Sequence, residues 1–336
     1  MEKKLKVGII GCGGIANGKH MPSLSKIPNV QMVAFCDIVE EKAQKAAEKF
    51  GVAGAKVYTD YTELLADPEI EVVHVCTPNR SHANISIDAL HAGKHVMCEK
   101  PIAASLEEGK EFFDLVKANP QIKVMIGHIL RYNATYRKAA EMIHNGAIGS
   151  PIIMRMSQNH HTMNWNRYAR LIQETSPIID CGVHYLDVMR WFTGSEILDV
   201  AGIGMRTDED VPEGKCNYEM ATVRMADGSV GYYEAGWTKT ISSDNTKEFV
   251  GPKGSLRIIY QKDRTSHQEE GDLIEYYCLA DKTYHNINVP GNRKPTDLQL
   301  EHLIRMIEED IPAEPTIEDV FASFQAVLAA EKTIRR

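Results

Sequence analysis

Three polar side chains have the types and spacing that proton transfer at a hydroxyl group requires. Asp180 and His184 are four residues apart in the segment DCGVH, so a helix would carry both on one face. Lys100 follows an apolar run and is held by Pro101. An ammonium can stabilise the alkoxide that develops on an alcohol oxygen as hydride leaves, and a histidine can accept a proton near neutral pH. The set therefore suits the oxidation of an alcohol.

Each of these residues also has an ordinary structural explanation. Lys100 taken alone fits a solvated loop lysine that pairs with Glu99. Asp180 would lie in the first turn of a helix that begins near Pro177, where a carboxylate favours the helix dipole. His184 taken alone fits a packed polar residue. The functional interpretation depends on the elements that position these side chains.

The N-terminal segment KVGIIGCGGIA, residues 6–16, predicts a dinucleotide-binding turn. Its apolar residues are typical of a buried parallel strand, which runs directly into a G-x-G-x-x-A pattern. Gly11 allows a tight turn, Gly13 lets a pyrophosphate approach the backbone, and Ala16 lets the next helix pack close to the strand. That helix turns its free N–H groups toward the phosphates. A second strand ends at Asp37, about 20 residues after the glycine pattern. In dinucleotide-binding units an acid at this position holds the ribose of the dinucleotide.

Asp37 also indicates which dinucleotide is bound. Its carboxylate would accept hydrogen bonds from both adenosine ribose hydroxyls and would repel a 2′-phosphate. The next residues, Ile38, Val39 and Glu40, provide no positive charge to neutralise that phosphate. We therefore expect NAD as the cofactor and consider NADP less favoured.

Three loops are expected at the carboxyl ends of the strands, which is where a doubly wound sheet binds ligands. They are Gly11–Gly14, Thr77–Asn79 and Glu99–Pro101. Thr77 and Asn79 could contact the cofactor through a hydroxyl and an amide, or could only shape the turn before a helix. The predicted cofactor contacts are Gly11, Gly13, Gly14, Ile15, Asp37, Thr77, Pro78, Asn79, His82, Glu99 and Lys100.

The order of the predicted elements divides the chain in two. Alternating strands and helices up to Gly127 predict an α/β domain with a doubly wound parallel sheet. Later come a strand-like run over 152–158, an irregular polar and aromatic stretch to Ser176, and a helix over 177–193. Extended segments and two closing helices follow. We expect residues 1–127 to form the NAD-binding domain, and residues 128–336 an α+β domain with a large, mostly antiparallel open sheet.

An open sheet face that the chain does not cover itself usually meets a partner. We therefore expect a homodimer or a homotetramer that assembles through the second domain.

Composition narrows the class of protein. A formal net charge of −8 argues against nucleic acid or an anionic membrane as the main partner. Seven cysteines without a C-x-x-C motif fit reduced thiols in the cytoplasm rather than a disulfide framework. No apolar run approaches the roughly 20 residues that span a bilayer, and no signal-peptide cleavage site follows the early lysines. The adjacent His160 and His161 do not normally point at one ion, so no metal site is expected.

Three motifs together resemble one known family. GIIGCGGIA at residues 8–16, CEKP at 98–101 and DCGVHYLD at 180–187 have the order and separations of the glucose–fructose oxidoreductase and inositol dehydrogenase (Gfo/Idh/MocA) family. The second and third motifs are much more specific than the glycine pattern. The resemblance covers essentially the whole chain, and it implies an N-terminal Rossmann domain followed by the α+β domain.

The resemblance implies a catalytic set of Lys100, Asp180 and His184. Hydride would leave the carbinol carbon for the nicotinamide as His184 removes the hydroxyl proton. Lys100 would polarise the oxygen, and Asp180 would hold His184 or the substrate. The family's substrates are sugars, inositols, nucleotide sugars and related polyols. We thus expect an NAD-dependent dehydrogenase that oxidises a secondary hydroxyl of a cyclic polyol or sugar.

Substrate contacts are implied at three further residues. In GHILRYN, residues 127–133, only Arg131 keeps a charge that matches the family's N-R-R-F-like stretch. Trp165 and Arg167 resemble a W-x-R-like element near the nicotinamide, or they pack a loop and carry a surface charge.

Two other functions remain compatible with the sequence. An enzyme that keeps NAD bound could use a transient ketone to cleave a glycoside or to epimerise a sugar, with no net redox change. A non-catalytic NAD(H) sensor would bind the dinucleotide only, but it would not need Lys100, Asp180 and His184. Net NADH formation on addition of substrate separates the dehydrogenase from both.

Overall fold

The computed structural model describes residues 4–162, 165–264 and 270–334 and divides into two compact units. The first unit consists of the chain up to Ile129 together with Pro295–Phe321, and the second consists of Leu130–Lys294 and the chain from Ala322. The boundary near residue 129 lies close to the one that the sequence predicts. However, residues 295–321 belong to the first unit, whereas the sequence analysis placed them in the second domain.

The first unit is built on a parallel sheet of six strands in the order β3-β2-β1-β4-β5-β6. The strands are β1 (Leu5–Ile10), β2 (Val30–Cys36), β3 (Lys56–Tyr58), β4 (Val72–Val75), β5 (His95–Cys98) and β6 (Val124–Ile126). β1 and β4 consist largely of buried apolar residues, as parallel strands covered on both faces do. The strand order reverses between β1 and β4, so the ligand-binding crevice of such a sheet lies at their carboxyl ends.

Helices connect these strands. A π-helical turn, Ala16–His20, continues directly into α1 (Met21–Leu24), and the other helices are α2 (Glu40–Phe50), α3 (Tyr61–Ala66), α4 (His82–His91) and α5 (Leu106–Ala118). The sequence predicts an interruption near Pro22, but the helical path continues there. The preceding π turn is wider than an α turn and accommodates a residue that has no N–H group. Asp60 caps α3, because its side chain accepts from the N–H of Thr62 at 2.8 Å.

The second unit is built on a mostly antiparallel sheet of eight strands in the order β14-β13-β12-β11-β7-β10-β9-β8. The strands are β7 (Ile153–His161), β8 (Ile197–Met205), β9 (Tyr218–Met225), β10 (Val230–Thr238), β11 (Lys247–Gly251), β12 (Gly254–Ile259), β13 (Asp272–Cys278) and β14 (Thr283–Val289). Its helices include α6 (Ala134–His144), α7 (Trp165–Glu174) and α8 (Pro177–Thr193). Only β7 and β10 pair in parallel among the described strands of this sheet. The predicted fold class is therefore confirmed for both sheets.

Helix α7 was not predicted, although Trp165, Tyr168, Ala169 and Ile172 have the spacing of one helix face. The sequence analysis treated the stretch before Ser176 as irregular. In the structure, Tyr168 packs on Trp237 with ring centroids 5.7 Å apart, and Ile172 is fully buried. These two residues are four apart, which is the spacing of one helix face.

Side chains on β7 and β10 alternate between a buried face and an exposed face. Met154, Met156 and Tyr233 are fully buried, whereas Ile153 and Val230 are 49% and 44% exposed. α8 packs on the buried face, where the ring of Tyr233 would lie 3.4 Å from a Cβ atom at Gly182. The other face carries apolar side chains in contact with solvent.

Two helices, α9 (Thr296–Glu309) and α10 (Ile317–Thr333), end the described chain. α9 belongs to the first unit because Gln299 donates to the carbonyl oxygen of Ile126 at 3.1 Å. α10 begins in the first unit, where Phe321 stacks on Phe113 with centroids 4.8 Å apart, and continues into the second. No helix within the described ranges is long and apolar enough to cross a membrane.

Candidate active site

The glycine turn joins β1 to the helix that follows it. Gly11 has a φ of +91°, and a Cβ atom there would lie 2.7 Å from the carbonyl oxygen of Cys76, so only glycine fits. At Gly13 and Gly14 a Cβ atom would meet nothing within 4 Å. The amide of Asn17 donates to two carbonyl oxygens of the turn, at 2.7 and 3.1 Å. The turn is thus fixed in shape and leaves open space at its backbone, which fits the pyrophosphate of a dinucleotide.

Asp37 lies at the end of β2 and is tied to the glycine turn. Its Oδ2 accepts from the N–H of Cys12 at 3.0 Å, and its Oδ1 accepts from the N–H of Val39 at 2.9 Å. Each carboxylate oxygen retains lone-pair capacity for a hydroxyl donor. Two exposed apolar side chains belong to the same segments. Ile38 directly follows Asp37 and is 91% exposed, and Ile15 in the glycine segment is 39% exposed. This geometry fits a ribose at the carboxylate and a planar base on the apolar surface.

The loop after β4 is held by a buried histidine. His82 Nε2 lies 2.8 Å from the carbonyl oxygen of Thr77, and His82 Nδ1 lies 2.7 Å from that of Pro101. Burial lowers the pKa of His82, although its hydrogen bonds to these two carbonyl oxygens act in the opposite direction. His82 therefore joins two predicted cofactor loops to each other and contributes by positioning them. It is 1% exposed, which leaves little surface for a direct cofactor contact.

Asn79 and its neighbours are better placed to meet a ligand. Pro78 is exposed and Thr77 is half-buried, with its hydroxyl accepting from that of Ser81 at 2.9 Å. The Nδ2 of Asn79 is buried and has no hydrogen-bond partner among the described residues. A buried amide without a partner is costly, so a ligand oxygen at this position would stabilise it.

The loop after β5 presents Glu99 and Lys100, which are both half-buried. Glu99 Oε1 lies 2.8 Å from Nε2 of His20, and Lys100 is joined to Pro101 through a cis peptide bond. The loop follows β5 at the carboxyl edge of the sheet, as the sequence predicts. Lys100 belongs to the first unit, whereas Asp180 and His184 belong to the second.

Helix α8 exposes a narrow polar stripe. Ser176 caps its N-terminus, and Asp180 lies in the first turn, as predicted. Between Pro177 and Arg190, Asp180 and His184 are the polar residues that are not buried. Their spacing of four residues places them on the same face. One carboxylate and one imidazole can therefore act together on a single ligand at this surface.

Buried aromatic residues support the helix behind this stripe. Tyr185 stacks on Tyr233 with ring centroids 4.5 Å apart, and the Lys247 ammonium lies 4.5 Å from the Tyr185 ring. Lys247 also donates to the carbonyl oxygen of Ser157, to Asn245 Oδ1 and to the carbonyl oxygen of Thr246. Burial lowers the pKa of Lys247 well below its usual range. The sequence analysis did not single out Lys247, because a lysine within a strand normally faces solvent.

Arg131 is placed differently from the expectation. Its guanidinium is buried and donates to Asp187 through Nε and Nη2, both at 2.8 Å, and it lies 4.9 Å from the ring of Trp191. The guanidinium thus has a structural role within the second unit, and we no longer assign it to substrate. Trp165 begins α7 and lies 5.4 Å from the Lys239 ammonium. The side chain of Arg167 lies outside the described part of the structure.

The sequence analysis assigned no role in the site to four polar residues, which are His20, His74, Gln158 and His160. His20 and His74 are buried beside Glu99, and no sequence pattern joins residues so far apart. Gln158 and His160 continue the alternation of Met154 and Met156 along β7, so they face the side on which α8 packs. The signal available in the sequence was the alternation along this strand, in which every second residue is first methionine and then polar. No cluster of three or more metal-ligating side chains occurs in the described ranges.

Comparison with known proteins agrees with this architecture. The profile of the Gfo/Idh/MocA oxidoreductase family, an NAD-binding Rossmann fold, matches residues 5–128, and that of the family's C-terminal domain matches residues 136–257. The chain is 28% identical to scyllo-inositol 2-dehydrogenase (NAD(+)) of Bacillus subtilis over 261 residues, which cover 77% of this chain and 75% of that protein.

A second relative, the inositol 2-dehydrogenase of Salmonella typhimurium, is 33% identical over 193 residues, or 57% of this chain and 55% of that protein. The match therefore spans little more than half of the Salmonella enzyme. The fold is similar to that of a 3-ketoreductase from Actinomadura kijaniata in complex with TDP-benzene and NADP, with a TM-score of 0.82, 20% identity, and coverage of 99% and 98% of the two chains. With both family profiles matched and the fold shared over nearly its whole length, the chain belongs to the Gfo/Idh/MocA family of oxidoreductases.

Proposed function

We propose that the protein is an NAD-dependent dehydrogenase that oxidises a secondary hydroxyl group of a cyclic polyol or sugar. The observation that carries the proposal is the polar stripe of α8, where Asp180 and His184 stay accessible while the polar residues around them are buried. An aspartate in the first turn alone fits helix stabilisation, but the half-buried histidine on the same face adds a group that can exchange a proton with a ligand. The relatives named inositol dehydrogenases support the substrate class.

In the proposed mechanism each side chain has one task. The glycine turn and Asp37 would hold NAD, which would supply the acceptor for the hydride that the carbinol carbon loses. His184 takes the hydroxyl proton, and Asp180 holds the imidazole ring or a second substrate hydroxyl. Lys100 donates to the reacting oxygen and stabilises its developing negative charge. The product is a ketone, and the proton passes from His184 to solvent.

We propose NAD rather than NADP as the cofactor. Asp37 is held in place by the N–H groups of Cys12 and Val39, so its carboxylate cannot swing away from a 2′-phosphate. Repulsion between two fixed anions is expensive at short range. The NADP in the 3-ketoreductase complex belongs to that protein, which is 20% identical to this chain.

The experiment that tests the activity is a substrate panel. Purified protein is mixed with NAD and with inositols, monosaccharides, nucleotide sugars and linear polyols in turn, and NADH absorbance is followed. Net NADH formation with a cyclic polyol or sugar supports the proposal. Product formation without net NADH would indicate the redox-neutral alternative, and binding without any conversion would indicate the sensor.

We also propose that the protein is a homodimer or homotetramer that assembles through the exposed face of the second unit's sheet. Ile203 and Met205 on β8 are both 61% exposed on this face. In its middle, Arg155 pairs with Glu248, and Arg257 lies opposite Glu275 at 3.8 Å. An apolar margin beside alternating charges is complementary to a second copy of itself under two-fold symmetry.

We also propose that the protein is located in the cytoplasm. Six of the seven cysteine side chains are buried in the two units, where reduced thiols behave as small apolar groups. A thiol count on denatured, non-reduced protein tests this. All seven cysteines should react, and a loss of thiols in pairs would contradict the location.

A further inference from the structure

A chain of three titratable side chains, of which His20 and His74 are buried and Glu99 is half-buried, lies beside the glycine turn. His20 is 1% exposed, and its Nδ1 lies 3.1 Å from Nδ1 of His74 while its Nε2 lies 2.8 Å from Oε1 of Glu99. His20 ends the π turn that follows the glycine motif, His74 belongs to β4, and Glu99 follows β5. One imidazole thus joins the helix of the cofactor-binding turn to the loop that carries Lys100.

Both oxygens of the Glu99 carboxylate are engaged. Oε1 meets His20, and Oε2 accepts a long hydrogen bond from the backbone N–H of Lys100 at 3.4 Å. On the other side, a Cβ atom at Gly127 would lie 3.0 Å from Oε2, so the backbone there packs against the carboxylate. The carboxylate cannot rotate without losing His20, and its position constrains the backbone at Lys100.

The positions of the protons follow from the donors and acceptors. An ionised carboxylate only accepts, so His20 donates to Glu99 through Nε2–H. His74 is fully buried, and its Nε2 has no hydrogen-bond partner among the described residues. With both His20 nitrogens protonated, His74 Nδ1 accepts from His20 Nδ1–H, and the neutral His74 carries its proton on Nε2. A positive charge in this chain of side chains belongs on His20, because His20 Nε2 lies 2.8 Å from the Glu99 carboxylate.

The surrounding groups favour that charge. Burial disfavours an imidazolium, but interactions with Cys76 and Glu99 outweigh it and raise the pKa of His20 to about 10. Burial also opposes the ionisation of Glu99, yet the hydrogen bond and charge of His20, with the charges of Lys100 and His82, lower its pKa to about 2. Burial and the nearby His20 lower the pKa of His74. His20 and Glu99 therefore form a buried ion pair at neutral pH.

We propose that His20 is a positioning residue for Lys100. It holds Glu99 as an ionised, immobile carboxylate, and Glu99 fixes the start of the loop that carries the lysine. Without the charge of His20, Glu99 would take up a proton or turn toward the Lys100 ammonium, and either change would move the cation that stabilises the alkoxide. The role of Lys100 rests on the proposed function, whereas the ion pair does not.

The test compares His20→Gln with the wild-type protein and with His95→Gln. The glutamine amide can still donate to Glu99 but carries no charge. His95 lies at the amino end of β5, away from the cofactor edge, where it accepts from the N–H of Lys123 at 2.9 Å, so its substitution is a matched control. Nitrogen NMR of histidine-labelled free protein reports the protons on His20. The NADH affinity, kcat and KM are measured as functions of pH.

The wild-type spectrum should show both His20 nitrogens protonated throughout the neutral range. His20→Gln should keep NADH affinity within about threefold at neutral pH and lower kcat roughly 10- to 100-fold. It should also create a new acidic limb in kcat, because burial then raises the pKa of Glu99 with only the charges of Lys100 and His82 left to oppose it. Adding Glu99→Gln should remove that limb, and His95→Gln should match the wild type.

A His20 ring that is neutral at neutral pH would overturn the inference, as would a His20→Gln protein with the wild-type kcat and pH profile. If His20→Gln does not fold, Glu99→Gln provides the same NMR test, because His20 should then lose its charge at a lower pH than in the wild type. A protein that turns over no polyol overturns the proposed function instead. The ion pair is then judged by the NMR signal and by NADH affinity, which His20→Gln should make pH-dependent.

Discussion

Arg131 and Asp187 form a bidentate ion pair inside the second unit, with both N···O distances at 2.8 Å. The two side chains are 8% and 1% exposed. Asp187 lies three residues beyond His184 on α8 and also accepts from the hydroxyl of Ser323 at 3.4 Å. The pair therefore fastens the helix that presents Asp180 and His184.

Breaking this pair should destabilise the second unit. Arg131→Met leaves the Asp187 carboxylate buried without its partner, and such losses cost about 3–5 kcal/mol. The double variant Arg131→Met/Asp187→Leu should regain part of the loss, because no charge then stays buried. Lys138→Met, from an exposed pair with Glu141 in the same unit, should change stability by less than about 1 kcal/mol. Urea unfolding measures all three, and a stable Arg131→Met protein with only a raised KM would restore Arg131 as a substrate contact.

The cofactor preference should depend on Asp37. NAD should bind at least about tenfold more tightly than NADP, a gap of about 1.4 kcal/mol. Asp37→Ala should relax the preference chiefly by removing repulsion of the 2′-phosphate. It should also weaken NAD binding, because the N–H groups of Cys12 and Val39 lose their acceptor. Isothermal titration calorimetry checks both, and equal affinities in the wild-type protein would contradict the assignment of Asp37 to the ribose.

Removing either proposed catalytic group should lower turnover and spare NAD binding. Lys100→Met keeps much of the side-chain length without the charge, and His184→Asn keeps a polar group that cannot titrate. Each should lower kcat by about 10²–10⁴-fold, or roughly 3–5 kcal/mol of barrier. The losses should be less than additive, because the two groups serve one proton transfer.

The pH profile gives an independent check on His184. Wild-type turnover should rise with pH as His184 becomes the neutral base, and His184→Asn should lose that limb. Lys110→Met, on the exposed surface of α5, is the control for loss of a lysine charge. Turnover by Lys100→Met within about threefold of wild type would exclude the catalytic assignment.

The ion pair of His20 and Glu99 should make the stability of the first unit depend on pH in both directions. The pKa of Glu99 falls from 4.5 to about 2 on folding, so its contribution is present above 4.5 and is lost as the pH falls toward 2. The pKa of His20 rises from 6.5 to about 10, so its contribution is present below 6.5 and is lost as the pH rises toward 10. Thermal unfolding of the wild type should show both losses, and His20→Gln should lack the alkaline one. Parallel curves for the two proteins would contradict a charged His20.

Assembly should be weakened by substitutions on the exposed face of the second unit's sheet and not by substitutions on the surface of the first unit. Light scattering should show a dimer or tetramer at micromolar concentration, and Ile203→Asp should shift it toward the monomer because a carboxylate would be buried in the interface. Leu298→Asp places the same charge at a residue that is 50% exposed on α9 of the first unit, and it should leave the mass unchanged. A wild-type monomer would contradict the proposed assembly.

Local patterns were sufficient for most elements and for the positions of the glycine turn, Asp37, Asp180 and His184 within them. The glycine turn, the cap at Asp60, and the shared face of Asp180 and His184 depend on residues within a few positions of each other, and short-range geometry decides them. Helix α7 was missed although its apolar residues have helical spacing, whereas its contact with Trp237, which lies far along the chain, is decided by tertiary packing.

The sequence by itself determined the nucleotide-binding architecture, the acid at the end of β2, and the placement of an aspartate and a histidine on one helix face. Only the tertiary structure decided that Arg131 pairs with Asp187, that residues 295–321 belong to the first unit, and that His20 contacts Glu99. The reason is physical. Each of these outcomes joins residues 56 to 173 positions apart, and burial of both partners, which no local pattern encodes, makes the contact form.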